Sequence, residues 1–263
     1  MKVKFLFVVF SLLLFSCKKE VKENLETAND SSTQTIDSIK VESKKSKTGT
    51  KILLASTYRI YENEDDTKEL TKNWFELYEE KGNYFLDNAD YSITKGTDAC
   101  TKSETKTIKT KRKTLLLIDN STLKKGKIDI VRDLKNTIWP DEEFVFVFKG
   151  KTFSLKAEGK ILNTEQITDT DGVAKTWHEV SDYKLYLKSE NSEEELIINE
   201  SSFNDTFVKL LFLGDIDNDG QPDFIFDAPR NYEENRVLLF LSSDAIEGKI
   251  VPKSAEISIQ FDC

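Results

Sequence analysis

The chain has 263 residues, 38% hydrophobic and 32% charged, with 47 acidic against 38 basic residues and a formal net charge of −9. That length allows one large or two small domains with a real core, and 3 Trp, 8 Tyr and 17 Phe exclude a wholly disordered chain. The acidic balance makes nucleic acid a poor partner, and a single apolar run excludes a polytopic membrane protein.

That run stands near Met1. Lys2 and Lys4 precede eleven uncharged, mostly apolar residues, Phe5 to Phe15. The run is too short to span a bilayer as a helix and has the length of a secretory h-region. It ends Leu14-Phe15-Ser16-Cys17. These residues resemble the lipobox of bacterial lipoproteins, in which an aliphatic and a small residue precede a cysteine that is diacylated. The resemblance implies a signal peptide at 1–16, lipidation of Cys17 and a cell-envelope location at the outer membrane, with the periplasmic and surface-exposed faces both open. Membrane lipid is then the first expected partner, each buried CH₂ contributing roughly 0.8 kcal/mol. Cleavage removes two lysines and no acid, so the mature chain is more acidic still.

From Lys18 to Thr50 there is no aromatic residue, and Lys, Glu, Ser and Thr dominate. Such a segment buries too little apolar surface to offset ordering and is expected to be a disordered tether, with a mean span of roughly 30 Å. The globular region is expected over 51–263. There the dominant period is two. Ile52 to Tyr61 reads as a strand. Trp74 to Tyr78 runs through a Lys81-Gly82-Asn83 turn into Tyr84 to Leu86, and Leu115 to Ile118 follows. Val131 to Ile138 carries the best helical signal. Phe144 to Phe148, a Lys149-Gly150-Lys151 turn and Phe153 to Ala157 form a clear hairpin. Asp169-Thr170-Asp171-Gly172 is a turn signal first and a metal site second. Tyr183 to Leu187, Glu195 to Ile198, Phe207 to Leu213, Phe224 to Phe226, Val237 to Leu241 and Ile257 to Phe261 complete the strands, with a short helical turn near Asp244. Short β-branched and aromatic runs between Gly, Asn and Asp predict a mainly β protein, an antiparallel sandwich or barrel-like sheet with few short helices. No repeat of solenoid or propeller length is present.

Two cysteines remain beyond Cys17, and in an oxidising compartment Cys100 and Cys263 are expected to pair as a disulfide, two free thiols being the alternative. The richest chemistry lies in Gly214-Asp215-Ile216-Asp217-Asn218-Asp219-Gly220-Gln221-Pro222-Asp223. Carboxylates stand at loop positions 1, 3, 5 and 9, with Gly at 6. A hard cation such as Ca²⁺ takes six to eight oxygens, and alternate acids in a tight loop can all point inward. Asp215, Asp217, Asp219 and Asp223 are the expected side-chain ligands, and the main-chain carbonyl of Gln221 a further one. Phe226 stands where an EF-hand has its bidentate Glu, and the flanks are strands. The pattern, from Phe212-Leu213-Gly214-Asp215 to Phe224-Ile225-Phe226-Asp227-Ala228-Pro229, resembles the FG-GAP repeat of integrin-alpha propellers and its bacterial relatives. That resemblance covers about 20 residues in a single copy. It implies a calcium loop in a β-hairpin, and neither a propeller nor integrin-like partners.

The remaining features read plainly. His178 is the only histidine, and no Ser, Cys, zinc or phosphate-loop motif accompanies it. The acids Asp141-Glu142-Glu143 after Trp139-Pro140 are the most noticeable cluster for carboxylate catalysis. Lys102 to Lys113 holds six basic residues against one Glu and reads as a solvated strand face balancing acids elsewhere, anionic headgroups being the alternative. The expected function is a lipid-anchored envelope protein with a structural Ca²⁺ loop, a non-catalytic binding or structural module for an envelope protein or glycan. An envelope enzyme such as a carboxylate-dependent carbohydrate hydrolase is the alternative.

Overall fold

In the computed structural model, residues 49–261 are described apart from 63, 169–171, 191 and 246–248. The expected signal peptide, Cys17 and nearly all of the tether therefore lie outside the described residues, as do Cys263 and the Asp169–Asp171 turn. Among the described residues no helix is long and apolar enough to cross a membrane.

Among the described residues, sixteen strands and two 3₁₀ turns follow one another. In the first half these are β1 (Lys51–Leu53), β2 (Thr57–Ile60), β3 (Phe75–Glu80), β4 (Asn83–Asn88), β5 (Tyr91–Thr97), β6 (Glu104–Thr110), β7 (Lys113–Asp119) and β8 (Gly126–Ile128). The second half begins with β9 (Glu143–Phe148), β10 (Lys151–Thr168), β11 (Ala174–Ser189) and β12 (Glu195–Ser202). It ends with β13 (Lys209–Gly214), β14 (Asp223–Asp227), β15 (Glu234–Phe240) and β16 (Lys253–Gln260). The 3₁₀ turns cover Asp66–Glu69 and Ser242–Asp244. All named strand pairs are antiparallel. They make four sheets, in the orders β1-β7-β3-β4-β8, β12-β11-β10-β9, β13-β14-β15-β16 and β2-β6-β5, and none closes into a barrel.

The β13–β16 sheet is the middle layer, and its sequence explains why. β14 reads Asp-Phe-Ile-Phe-Asp without polar alternation, the pattern of a strand covered on both faces. Phe224 and Phe226 pack with Phe146, Phe153 and Leu155 of the β9–β12 sheet. Ile225, between them, turns the other way to Leu77, Leu116 and Ile118 of the β1-β7-β3-β4-β8 sheet. The aromatic packing is specific: Phe146 meets Phe224 edge-on at 6.2 Å, and Phe226 meets Phe240 edge-on at 5.8 Å. A third cluster, with Tyr58, Trp74, Ile108 and Leu117, joins the small β2-β6-β5 sheet to its neighbour.

The mainly antiparallel expectation holds, with two corrections and one extension. Ile52 to Tyr61 is not one strand: the chain leaves β1 after Leu53, bends, and enters a different sheet as β2 at Thr57. Val131 to Ile138 is not a helix. Its backbone bonds outward instead, with the Val131 N–H donating to the Leu213 carbonyl (2.9 Å) and the Leu210 N–H to the Asn136 carbonyl (2.7 Å). The segment is thus an extended strap along β13, and its apolar residues face the core from that path. The extension is β10 and β11, which continue as an exposed two-stranded ribbon far beyond the sheet, paired out to Thr168–Ala174 with two bulges on the way. Both faces of the ribbon are exposed, and Ile161, Leu162 and Ile167 fall among its polar residues without alternation, which hid that length from a reading based on period.

Candidate metal-binding loop

The loop at 215–222 joins β13 to β14 at one end of the middle sheet. Its entry is set by Gly214. A Cβ there would lie 2.3 Å from the Asp129 carbonyl oxygen and 2.8 Å from the Phe212 ring. The missing side chain lets the strap bridge to Gly214 through Ile130 and accept the Asp215 N–H on the Asp129 carbonyl at 2.9 Å. Within the loop the chain turns through the left-handed region at Asn218 (φ 62°) and Gly220 (φ 88°), where Asn and Gly are the tolerant residues.

The carboxylates fold the loop around themselves. Asp215 accepts the Asp219 N–H on Oδ1 and the Gly220 N–H on Oδ2, both at 3.0 Å. Asp217 Oδ1 accepts the same Asp219 N–H at 3.2 Å. Asp223, fully buried at the start of β14, accepts from the Ile216 N–H (2.6 Å) and Asp217 N–H (3.3 Å) on Oδ2. Its Oδ1 accepts from the N–H (2.7 Å) and hydroxyl (2.9 Å) of Ser242. The 3₁₀ turn Ser242–Asp244 thus closes one side of the loop, and the Ser243 N–H adds a 3.1 Å bond to Asp217 Oδ2. From the other side comes the β9–β10 turn. Lys149 Nζ lies 2.5 Å from Asp215 Oδ2 and 3.4 Å from Asp129 Oδ2, and Lys151 Nζ donates to the Gln221 side-chain oxygen at 3.3 Å.

Three expected ligands converge. Asp215, Asp217 and Asp223 each offer one carboxylate oxygen, and the three atoms lie within 4.8 Å of one another. Asp219 is exposed, outside that trio, and its Oδ1 accepts from the Gln221 N–H (2.7 Å) and the Ser242 hydroxyl (3.0 Å). The side chain of Gln221 turns to Lys151. Electrostatics favour a cation at the trio. Burial, reinforced by the charge of Asp217, pushes the Asp223 carboxyl well above the usual carboxylate range. Burial also raises Asp217, against the pull of the Ser243 bonds. The hydrogen bond to Asp215 raises Lys149. A buried carboxylate group of this density needs a compensating positive charge, and Lys149 reaches Asp215 alone among the three.

Sequence reasoning missed Ser242, Ser243, Lys149 and Asp129, which lie 19 to 86 residues from the acidic residues they bond, and nothing local marks them. The other residues singled out in the sequence have these surroundings. Glu142 Oε2 accepts the Trp139 N–H at 2.8 Å and pairs with Lys135. His178 Nδ1 lies 2.9 Å from the Thr164 hydroxyl across the ribbon, and its ring meets Trp139 edge-on at 4.8 Å. Four of the six basic residues at 102–113 pair with acids: Lys106 with Asp65, Lys111 with Asp90, Arg112 with Glu76 and Asp87, and Lys113 with Glu79. Cys100 sits in the turn between β5 and β6, and its expected partner is outside the described residues.

Searches against protein families, curated proteins and solved structures match nothing to this chain.

Proposed function

We propose that the 215–223 loop holds Ca²⁺ as a structural cation in a lipid-anchored envelope protein, and that the protein works as a non-catalytic binding or structural module. The observation that carries this reading is the convergence of Asp215, Asp217 and Asp223 around the buried Asp223 carboxylate. Ca²⁺ suits the loop better than Mg²⁺, because it accepts many oxygens, carbonyls included, in a flexible shell, whereas Mg²⁺ demands near-octahedral geometry and keeps its waters. Asp215, Asp217 and Asp223 would hold the ion, with Asp219 and the Gln221 carbonyl close in sequence to complete the shell. The ion supplies charge neutralisation and no turnover. It would tie β13, β14 and the Ser242–Asp244 turn together at one end of the middle sheet, and at 100 times Kd it would add about 2.7 kcal/mol to folding.

The lipid anchor rests on the Leu14-Phe15-Ser16-Cys17 sequence, and Cys100 is proposed to pair with Cys263. Thermal unfolding of the chelator-treated chain tests the calcium reading. Millimolar Ca²⁺ is expected to raise the midpoint well beyond the same concentration of Mg²⁺, and equal shifts would refute the assignment of the ion. Radiolabelled fatty acid should enter the wild-type chain in a Gram-negative host and not Cys17→Ser. Equal labelling would remove the anchor.

A further inference from the structure

The β9–β10 turn brings a cation of its own to the loop. Lys149 (φ 45°) and Gly150 (φ 81°) are both left-handed, the signature of a tight hairpin turn that leaves the Lys149 side chain a defined starting point. Its stem passes the Phe148 ring, with Nζ 5.5 Å from the centroid, and its ammonium ends 2.5 Å from Asp215 Oδ2. That oxygen already accepts the Gly220 N–H, so the ammonium completes its two acceptor sites. Asp129, 3.4 Å from the same ammonium, is a second carboxylate waiting outside the trio.

Resting on the calcium reading above, the geometry points to Lys149 as a tethered competitor: its ammonium and a divalent cation contend for Asp215, so that metal binding and docking of the β9–β10 turn oppose each other. The competition follows from charge and from place. A divalent ion shared by Asp215, Asp217 and Asp223 sits within a few ångströms of the ammonium, beside the fully buried Asp215 and Asp223 carboxylates, where the repulsion is screened less than in bulk water. Lys149 occupies Asp215 Oδ2, while Oδ1 accepts only the Asp219 N–H, so the contest is for Oδ2 and for the charge of the one carboxylate. On metal binding the ammonium transfers to Asp129 or to solvent. Lys149 also lines an open groove of about 550 Å³ between the strap at 129–133 and β9. Metal occupancy therefore changes the charge at the mouth of a groove beside that strand. The competition lowers calcium affinity below what the three carboxylates would give without Lys149.

Calcium calorimetry on the full chain in detergent tests this with Lys149→Met, Lys149→Arg and Lys151→Met. Lys149→Met keeps an unbranched stem over Phe148 and loses the charge. Its Kd is expected to fall at least tenfold, while Lys149→Arg and Lys151→Met stay within about threefold of wild type. Amide exchange over 144–151 is expected to speed up in the wild type when calcium is added and to respond little in Lys149→Met. A Kd for Lys149→Met equal to or weaker than wild type, with calcium still bound, would overturn the competition and leave the calcium reading intact. No binding by wild type or Lys149→Met would remove both.

Discussion

Replacing Gly214 by alanine isolates the contact that places the loop. The backbone of Gly214 lies outside the left-handed region, so its need for glycine is one of space and not of φ. The new methyl would stand 2.3 Å from the Asp129 carbonyl oxygen, 2.8 Å from Phe212 Cζ and 3.1 Å from Ile130 Cγ2. The first neighbour is backbone and the second is a fully buried ring, so neither yields cheaply. Overpacking of this kind costs about 1–3 kcal/mol. Driving the strap away also breaks the 2.9 Å bond from the Asp215 N–H to the Asp129 carbonyl, at about 1 kcal/mol. The combined loss is roughly 2–4 kcal/mol, or about 4–16 °C in midpoint for a domain of this size. Thermal and urea unfolding in excess chelator measure it, with an unchanged urea m-value as the sign that the fold persists. Calcium affinity should fall in the same variant, because Asp215 moves with Gly214. A midpoint within 2 °C of wild type would refute the packing argument.

Three further outcomes follow from other contacts. Arg236 is buried and joins Glu200 and Glu256 (2.5 Å each) with the Ala228 carbonyl (3.0 Å), so Arg236→Ala strands two partly buried acids and should cost about 3 kcal/mol in urea unfolding; under 1 kcal/mol would contradict this. Asp98 is held down to about 2, first by the Thr101 N–H and then by the Arg59 side chain. Its folded value is below the unfolded 3.8, so its contribution is complete above about pH 4 and disappears as pH falls toward 2. Asp98→Asn should flatten stability over that window, and an unchanged acid limb would exclude the effect. Finally, Cys100 and Cys263 should resist alkylation in the oxidised chain and react once reduced; labelling without reductant would exclude the bond.

Much of the fold can be read from the chain because its strands obey simple patterns. The hairpin from Phe144 to Ala157 declares itself by alternation and by Lys-Gly-Lys, and the strands on either side of the Asp loop do so by apolar runs. β14 is legible as two-sided because no polar residue interrupts Phe224-Ile225-Phe226. The strap at 131–138 is illegible for a physical reason: its apolar spacing suits a helix, but its backbone partners lie on β13, some 75 residues away. The ribbon beyond Glu158 is hidden because both faces are solvated, leaving no hydrophobic period to detect. At the site, Asp215, Asp217 and Asp223 are visible from spacing alone. The serines, Lys149 and the Asp129 carbonyl are contributed by tertiary structure, and ordinary residues in ordinary turns carry no local mark of such a role.

Calorimetric titration of Ca²⁺ into the chelator-stripped full chain in detergent, beside Asp217→Ala, tests the central claim most directly. The Asp217 carboxylate bonds the Asp219 N–H and Ser243 besides its place in the trio, and its backbone bond to Asp223 is kept by alanine, so its loss should spare the fold. The account predicts one saturable site of micromolar-to-millimolar Kd in the wild type, accompanied by a raised unfolding midpoint, and neither effect in Asp217→Ala. No heat and no shift in the wild type, or equal binding by the variant, would contradict it and leave an acidic turn closed by its own hydrogen bonds.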